Sequence, residues 1–385
     1  MFALGLCLGL RDMVTGSNPK TRQRMTSKIV TVQYLRGLAA LLVLASHALL
    51  YPLVSQPLVY GRLGWLGVIL FFVISGFIMV TVTESGRFDP IGFMRRRVQR
   101  IVPLYWAFTL VAAALALVAP QLFKTTVFDA QQLLLSLAFL PFHNAASHGI
   151  HPLYKLGWTL NYEMFFYVSF ALLAMVTARR RLLWLTMAYL AMALIGQIWP
   201  PDSAFAQFYT SYMPLAFIAG AWLGLAHIEG RLGRISGPLI GAIGVLAAMG
   251  LVEGFSWGGE AVEDITAFAG FLVFALGAVG LLVRFDNEVP RIALMEWIGD
   301  ASYSIYLAHI FAVAMIAGIW LHFFGRGVPG AALAITALSV VGGTGIGMVL
   351  YRKLELPLLN WFRARSVEQR ARLAANAVDH GNQPV

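Results

Sequence analysis

The chain has 385 residues, of which 59% are hydrophobic and 12% charged, with a formal net charge of +10 at pH 7. A soluble domain carries about twice that charged fraction, so the composition excludes one and points to an integral membrane protein. The Lys and Arg residues sit in short stretches between apolar runs, which argues against nucleic acid as a partner, and the single cysteine, Cys7, excludes intrachain disulfides.

Residues 1–28 read as a basic cytoplasmic leader, 29–360 as a membrane domain and 361–385 as a polar cytoplasmic tail. The run Met1 to Leu10 superficially resembles the apolar part of a signal peptide. It has no basic region before it and no Ala-x-Ala pattern after it. Met25 offers an alternative start.

Apolar runs long enough to span a bilayer number ten, at about 32–52, 64–82, 102–119, 160–178, 182–198, 208–226, 235–252, 265–283, 304–324 and 331–354. An eleventh, 133–141, is too short and reads as a re-entrant or interfacial segment. The expected fold is therefore all-α and polytopic, with about ten transmembrane helices. Placing both termini inside puts 24 of the 28 Lys and Arg on the cytoplasmic side, leaving Arg62, Lys124, Lys155 and Arg326 outside.

The first span carries Arg36 and His47, eleven residues apart. That is about three turns of helix, so both project from one face, roughly 16 Å apart along the axis. Ionisable groups within a span are costly and usually face a bundle interior or a wet cavity. A snorkelling arginine and a packing histidine are the plainer account.

Between the second and third spans lies a basic stretch, Arg95-Arg96-Arg97 and Arg100 followed by Pro103, which reads as a cytoplasmic loop. Arginines there fix topology. Arg97 and Arg100, three apart, could also present parallel guanidinium groups to phosphates of an anionic cofactor or of lipid headgroups.

The fourth span opens with Trp158 and carries Glu163, placed by the topology at about the depth of His47. A carboxylate beside an imidazole raises its basicity and orients its tautomer, as a general base needs. The alternative is a structural partner for another buried polar group.

Further along, Asp300 and Ser302 look like capping residues at the inner start of the ninth span. Tyr303 and Tyr306 share a face, and His309 lies deeper. His143, His148 and His151 share one outer loop without zinc-motif spacing, Glu355 before Pro357 looks like a helix terminus, and Glu253, Glu260, Glu263 and Asp264 read as a solvated acidic loop. In Ser75-Gly76-Phe77 and in Gly342 to Gly347 the small residues suggest close helix packing.

Taken in order, Arg36-x10-His47, Arg97-x-x-Arg100-Ile-x-Pro103, Trp158-Thr-Leu-x-x-Glu163-x-x-Phe-Tyr167 and Gly299-Asp-x-Ser-Tyr-x-x-Tyr-Leu-x-His309 resemble the acyltransferase-3 family of bacterial membrane O-acyltransferases. Within it the chain is similar to exopolysaccharide or lipopolysaccharide O-acetyltransferases, over roughly residues 29–360. The resemblance implies a multi-pass protein of the bacterial inner membrane. It implies acyl transfer from cytoplasmic acetyl-CoA, with no metal, to a hydroxyl of a lipid-linked or polymeric glycan. It makes His47 and Arg36 the key pair of the first helix, with Arg97 and Arg100 also required for function. His47 as base, oriented by Glu163, fits this chemistry, since a sugar hydroxyl is a poor nucleophile until its proton is taken. Trp158, Tyr303 and His309 are substrate-side candidates. A transporter or flippase of lipid-linked saccharides would also suit ten helices with buried ionisable residues. It predicts a repeat between halves that is not evident.

Overall fold

The computed structural model describes residues 29–50, 58–83, 88–122, 125–256, 264–325, 328–366 and 368. The leader 1–28, the tail beyond 368, and Arg87, Lys124, Glu260, Glu263 and Arg326 lie outside the described residues. Among those described, nine segments are helical, long and apolar enough to cross a membrane, so the chain is an all-α polytopic membrane protein.

In chain order the helices are α1 (Val30–Leu50), α2 (Leu58–Thr83), α3 (Pro90–Val118), α4 (Ala130–Leu137), α5 (Trp158–Leu172), α6 (Ala178–Ile198) and α7 (Ala204–Tyr209). They continue as α8 (Pro214–Ile228), α9 (Gly237–Ser256), α10 (Ile265–Arg284), α11 (Ala293–Asp300), α12 (Ser302–Phe324) and α13 (Ala331–Leu350). A two-residue antiparallel ladder, β1 (His143–Asn144) with β2 (Gly149–Ile150), closes the connection before α5.

Four expectations need correction. The basic stretch is not a loop. Asp89 caps α3 by accepting from the Gly92 N–H, Pro90 sits at the first helical position, and the helix runs on through Arg95–Arg100 and Pro103. The fourth span is short: α5 has 15 residues, about 22 Å of helix against a hydrocarbon core of about 30 Å. It stops where Arg181 intervenes. That side chain is 2% exposed and donates to the carbonyls of Leu173 and Val176, each at 3.0 Å. It satisfies carbonyls just past the end of α5 while its guanidinium lies over Phe88 and Phe170. The sixth span is broken into α7 and α8 at residues 210–213, ahead of Pro214. Ser302 does not cap α12, since Ala301 holds that position with no side-chain cap hydrogen bond.

At α1 the cap comes from far along the chain. The Thr31 N–H and hydroxyl both donate to one Asp286 oxygen, at 2.8 and 2.7 Å. The first part of the run 133–141 lies in the short helix α4, capped by Asp129, and residues 138–141 lie beyond its end. Asp264, expected on a solvated acidic loop, caps α10 through the N–H groups of Thr266 and Ala267.

Helix α2 has no polar face, and a helix apolar all round belongs in the core. It packs against α1 on one side and α8 on the other, while α1 also contacts α11, α12 and α13. The α2–α8 crossing is made possible by glycine. A Cβ on Gly76 would lie 1.9 Å from the Phe217 carbonyl oxygen, and one on Gly220 1.9 Å from that of Val73. The close-packing reading of Gly76 is therefore right, and Gly343 and Gly347 likewise face Leu44 and Ile305. Because backbone cannot yield as a side chain can, Gly220→Val is expected to destabilise the bundle by about 2 kcal/mol or more. Thermal unfolding of the purified variant in lipid nanodiscs measures this, and an unchanged midpoint would refute the tight crossing.

Candidate active site

Where α1, α2, α3, α5 and α12 converge, they enclose a cavity of about 270 Å³. Arg36 comes from α1, Ser75 from α2, Arg97 and Arg100 from α3, Glu163 and Tyr167 from α5, and Tyr303 and Tyr306 from α12. Arg97 and Arg100 are one turn apart on a continuous helix, so both reach the same space. The cavity lies toward the bundle end at which α1 and α12 begin.

Its three arginines are held differently. Arg100 pairs with Glu355 at 3.0 Å, and the other Glu355 oxygen accepts from Ser304 at 2.6 Å. Glu355 is not a helix terminus. It lies, 2% exposed, in a π-helical turn, Tyr351–Glu355, between α13 and the helix that continues to 366. Arg36 bonds to Gln33, one turn away, at 3.2 Å. Arg97 lies over the rings of Phe93 and Tyr167. Its Nε, and the hydroxyl of Ser302 on the cavity wall, are buried without a hydrogen-bond partner among the described residues. Buried polar atoms are normally satisfied, so both are open to a partner entering the cavity. Counting Glu163 and Glu355 against the three guanidinium groups leaves a net positive charge, which favours an anion.

Glu163 is engaged within the cavity, accepting from Ser75 at 3.0 Å and from the Tyr167 hydroxyl. It is not bonded to His47. The structure pairs His47 with His309 instead, Nδ1 to Nε2 at 3.2 Å, with ring centroids 4.8 Å apart. The carbonyl partners decide the protons. His309 Nδ1 lies 2.6 Å from the Tyr306 carbonyl and must donate to it, so in the neutral ring Nε2 is an acceptor. His47 Nδ1 lies 2.9 Å from the Val43 carbonyl, so it carries the proton and shares it between Val43 and His309. The His47 Nε2 lone pair is left free of hydrogen bonds among the described residues, the state a general base requires. His309 is fully buried whereas His47 is partly exposed. Tyr306, on the cavity wall, adjoins the pair, its ring 5.9 Å from that of His309.

Sequence reasoning thus found Arg36, Arg97, Arg100, Glu163 and Tyr303, which meet in one cavity, and His47 and His309, which meet beside it. Trp158 does not line that cavity, although its neighbours Thr159 and Leu160 do; its ring turns away and stacks on Trp65. Among the three loop histidines, His143 contacts the Asp202 carbonyl at 3.3 Å and His151 the Ser147 hydroxyl at 3.1 Å. Burial, and secondarily Lys155, lower the His151 pKa to about 4, so it is neutral at ordinary pH. No group of three or more His, Cys, Asp or Glu among the described residues could hold a metal ion. Glu355 and Ser75 were missed as site residues. A signal for Glu355 existed: it is the only acidic residue between Asp300 and Glu368.

Residues 29–352 match the family described as an acyltransferase domain. The chain is 35% identical over 320 residues to the exopolysaccharide production protein ExoZ of Rhizobium meliloti (strain 1021), covering 82% of this chain and 96% of that protein. No solved structure matches.

Proposed function

The chain belongs to the acyltransferase-3 family, and from that premise we propose that it moves an acyl group, acetyl in our reading, from acyl-CoA to a hydroxyl of an exopolysaccharide sugar. The observation that carries this reading is the net-positive cavity, with its two orphaned polar atoms, adjoining a histidine whose Nε2 is free. Phosphates of the donor suit Arg36, Arg97 and Arg100, which can each present several N–H groups to an oxyanion. The thioester arm then extends toward Tyr306. In this reading the short α5 still makes the tenth crossing, so both termini are cytoplasmic, the positive residues stay inside and the arginine cavity opens to the cytoplasm of a cell whose inner membrane holds the protein.

In the transfer step, His47 Nε2 takes the proton of the sugar hydroxyl as its oxygen attacks the thioester carbonyl. The carbon–sulfur bond breaks and the coenzyme thiolate leaves, taking up the proton from His47. Throughout, Nδ1–H keeps its bonds to Val43 and His309, so the imidazolium forms without rearrangement of its partners. Glu163 stays on the donor side, fixing Ser75 and Tyr167.

The test is transfer in nanodiscs. The full chain is supplied with acetyl-CoA labelled in the acetyl group and with the host's exopolysaccharide stripped of base-labile esters. Base-labile label on the polymer is expected, with succinyl-CoA a poorer donor. Absence of label on any saccharide, or movement of lipid-linked sugar across vesicles without ester formation, would overturn the assignment.

A further inference from the structure

At the bundle end opposite the arginines lies a second, larger cavity of about 680 Å³, within the range of about 300–1,000 Å³ usual for small-molecule sites. Its aromatic wall is continuous. Trp65 and Trp158 stack with centroids 5.8 Å apart, Trp158 meets Tyr162 edge-on at 6.0 Å, and Tyr162 stacks on Phe208 at 3.8 Å. Facing these rings are neutral hydrogen-bonding groups, among them Gln197, Gln207 and His151. None of the lining residues among those described is Asp, Glu, Lys or Arg, in contrast to the arginine-lined cavity.

We infer that this cleft is the acceptor subsite and that it takes a neutral, hydroxyl-rich saccharide, an inference that rests on the acyltransferase reading above. The half-buried Trp158 ring, backed by the buried rings of Trp65 and Tyr162, covers a C–H face of a pyranose, while amide, hydroxyl and imidazole groups pair with its hydroxyls. A phosphate or pyrophosphate would find no cation here, so the cleft holds neutral sugar units rather than the charged link of a lipid-bound precursor. The cleft also lies at the level of His47. Ser46, its neighbour on α1, donates to the Tyr60 carbonyl at 2.6 Å, and a Cβ on Gly64 would come within 2.7 Å of the Ser46 hydroxyl. That contact joins the turn of α1 holding His47 to the turn of α2 holding Trp65. His47 does not itself line the cleft; a saccharide seated on Trp158 is held at its level in the bundle, and the hydroxyl to be acylated has to extend from the cleft toward the free Nε2.

The experiment uses the full chain in nanodiscs, free of glycoside detergents that would compete. The probe is an oligosaccharide cut from the host's de-esterified exopolysaccharide and tritiated at its reducing end. Equilibrium dialysis reads binding, and labelled-acetyl transfer reads KM for each substrate. Trp158→Ala is expected to weaken oligosaccharide binding and raise its KM about tenfold, as loss of a stacking surface predicts, with KM for acetyl-CoA unchanged. Trp158→Phe, which keeps an aromatic face, restores most of the binding. Gln207→Ala, at an exposed position, gives a severalfold loss without risk to folding. No binding by the unaltered chain up to about 10 mM, or variants that bind as it does, would overturn the cleft assignment. Binding without transfer would leave the cleft as a saccharide site and fail the acyltransferase reading alone.

Discussion

His47→Ala is expected to lower the rate of acyl transfer by about 10²–10⁴-fold, the usual worth of a positioned general base, with little change in donor binding. The expectation rests on the hydrogen bonds that hold the proton on Nδ1 and leave Nε2 open. Under the proposed mechanism His309 acts through His47, as a positioning residue. Its removal is expected to cost about tenfold and to broaden the pH profile, because Nδ1–H then loses one of its two acceptors. His309→Gln, whose side-chain oxygen can still accept, should recover most of the rate. Single-turnover transfer at saturating acetyl-CoA, followed across pH for the three variants, measures this. A His47→Ala protein retaining more than about a tenth of the rate would remove the base assignment. A His309→Gln protein no better than His309→Ala would show that His309 matters by packing alone.

The second large effect concerns the donor side, where two arginines one turn apart are expected to behave differently. Arg97 has no carboxylate partner within salt-bridge distance among the described residues and its Nε is unpaired. Arg97→Ala should therefore raise KM for acetyl-CoA by about 10–100-fold, the equivalent of about 1.5–3 kcal/mol for hydrogen bonds to a charged group. The fold should be unaffected. Arg100→Ala removes in addition the partner of Glu355, which is almost fully buried at the foot of α13. Stranding one member of a buried ion pair costs about 3–5 kcal/mol, so this variant should lose stability as well as donor affinity. Arg100→Gln combined with Glu355→Gln should regain stability but not affinity. Thermal midpoints alongside donor KM values separate the two effects. Equal destabilisation by Arg97→Ala and Arg100→Ala would contradict the roles assigned here.

The class of the protein and most of its parts are legible along the chain. Hydrophobic length and sparse charge suffice to identify spanning helices, because a bilayer cannot satisfy exposed backbone polar groups. The i, i+3 spacing of Arg97 and Arg100, and the eleven-residue spacing of Arg36 and His47, are properties of a single helix and could be read without a fold. Partnerships between helices could not. That Glu163 bonds to Ser75 and Tyr167 while His47 bonds to His309 depends on how α1, α2, α5 and α12 are rotated against one another. The α2 placement turns on the close approaches at Gly76 and Gly220, where backbone meets backbone. Likewise Arg181 reads as one more loop charge until the end of α5 is seen to fall beneath it, and Glu355 reads as a terminus until α3 brings Arg100 alongside. Local periodicity sets which residues a helix can offer; only tertiary packing decides which of them meet.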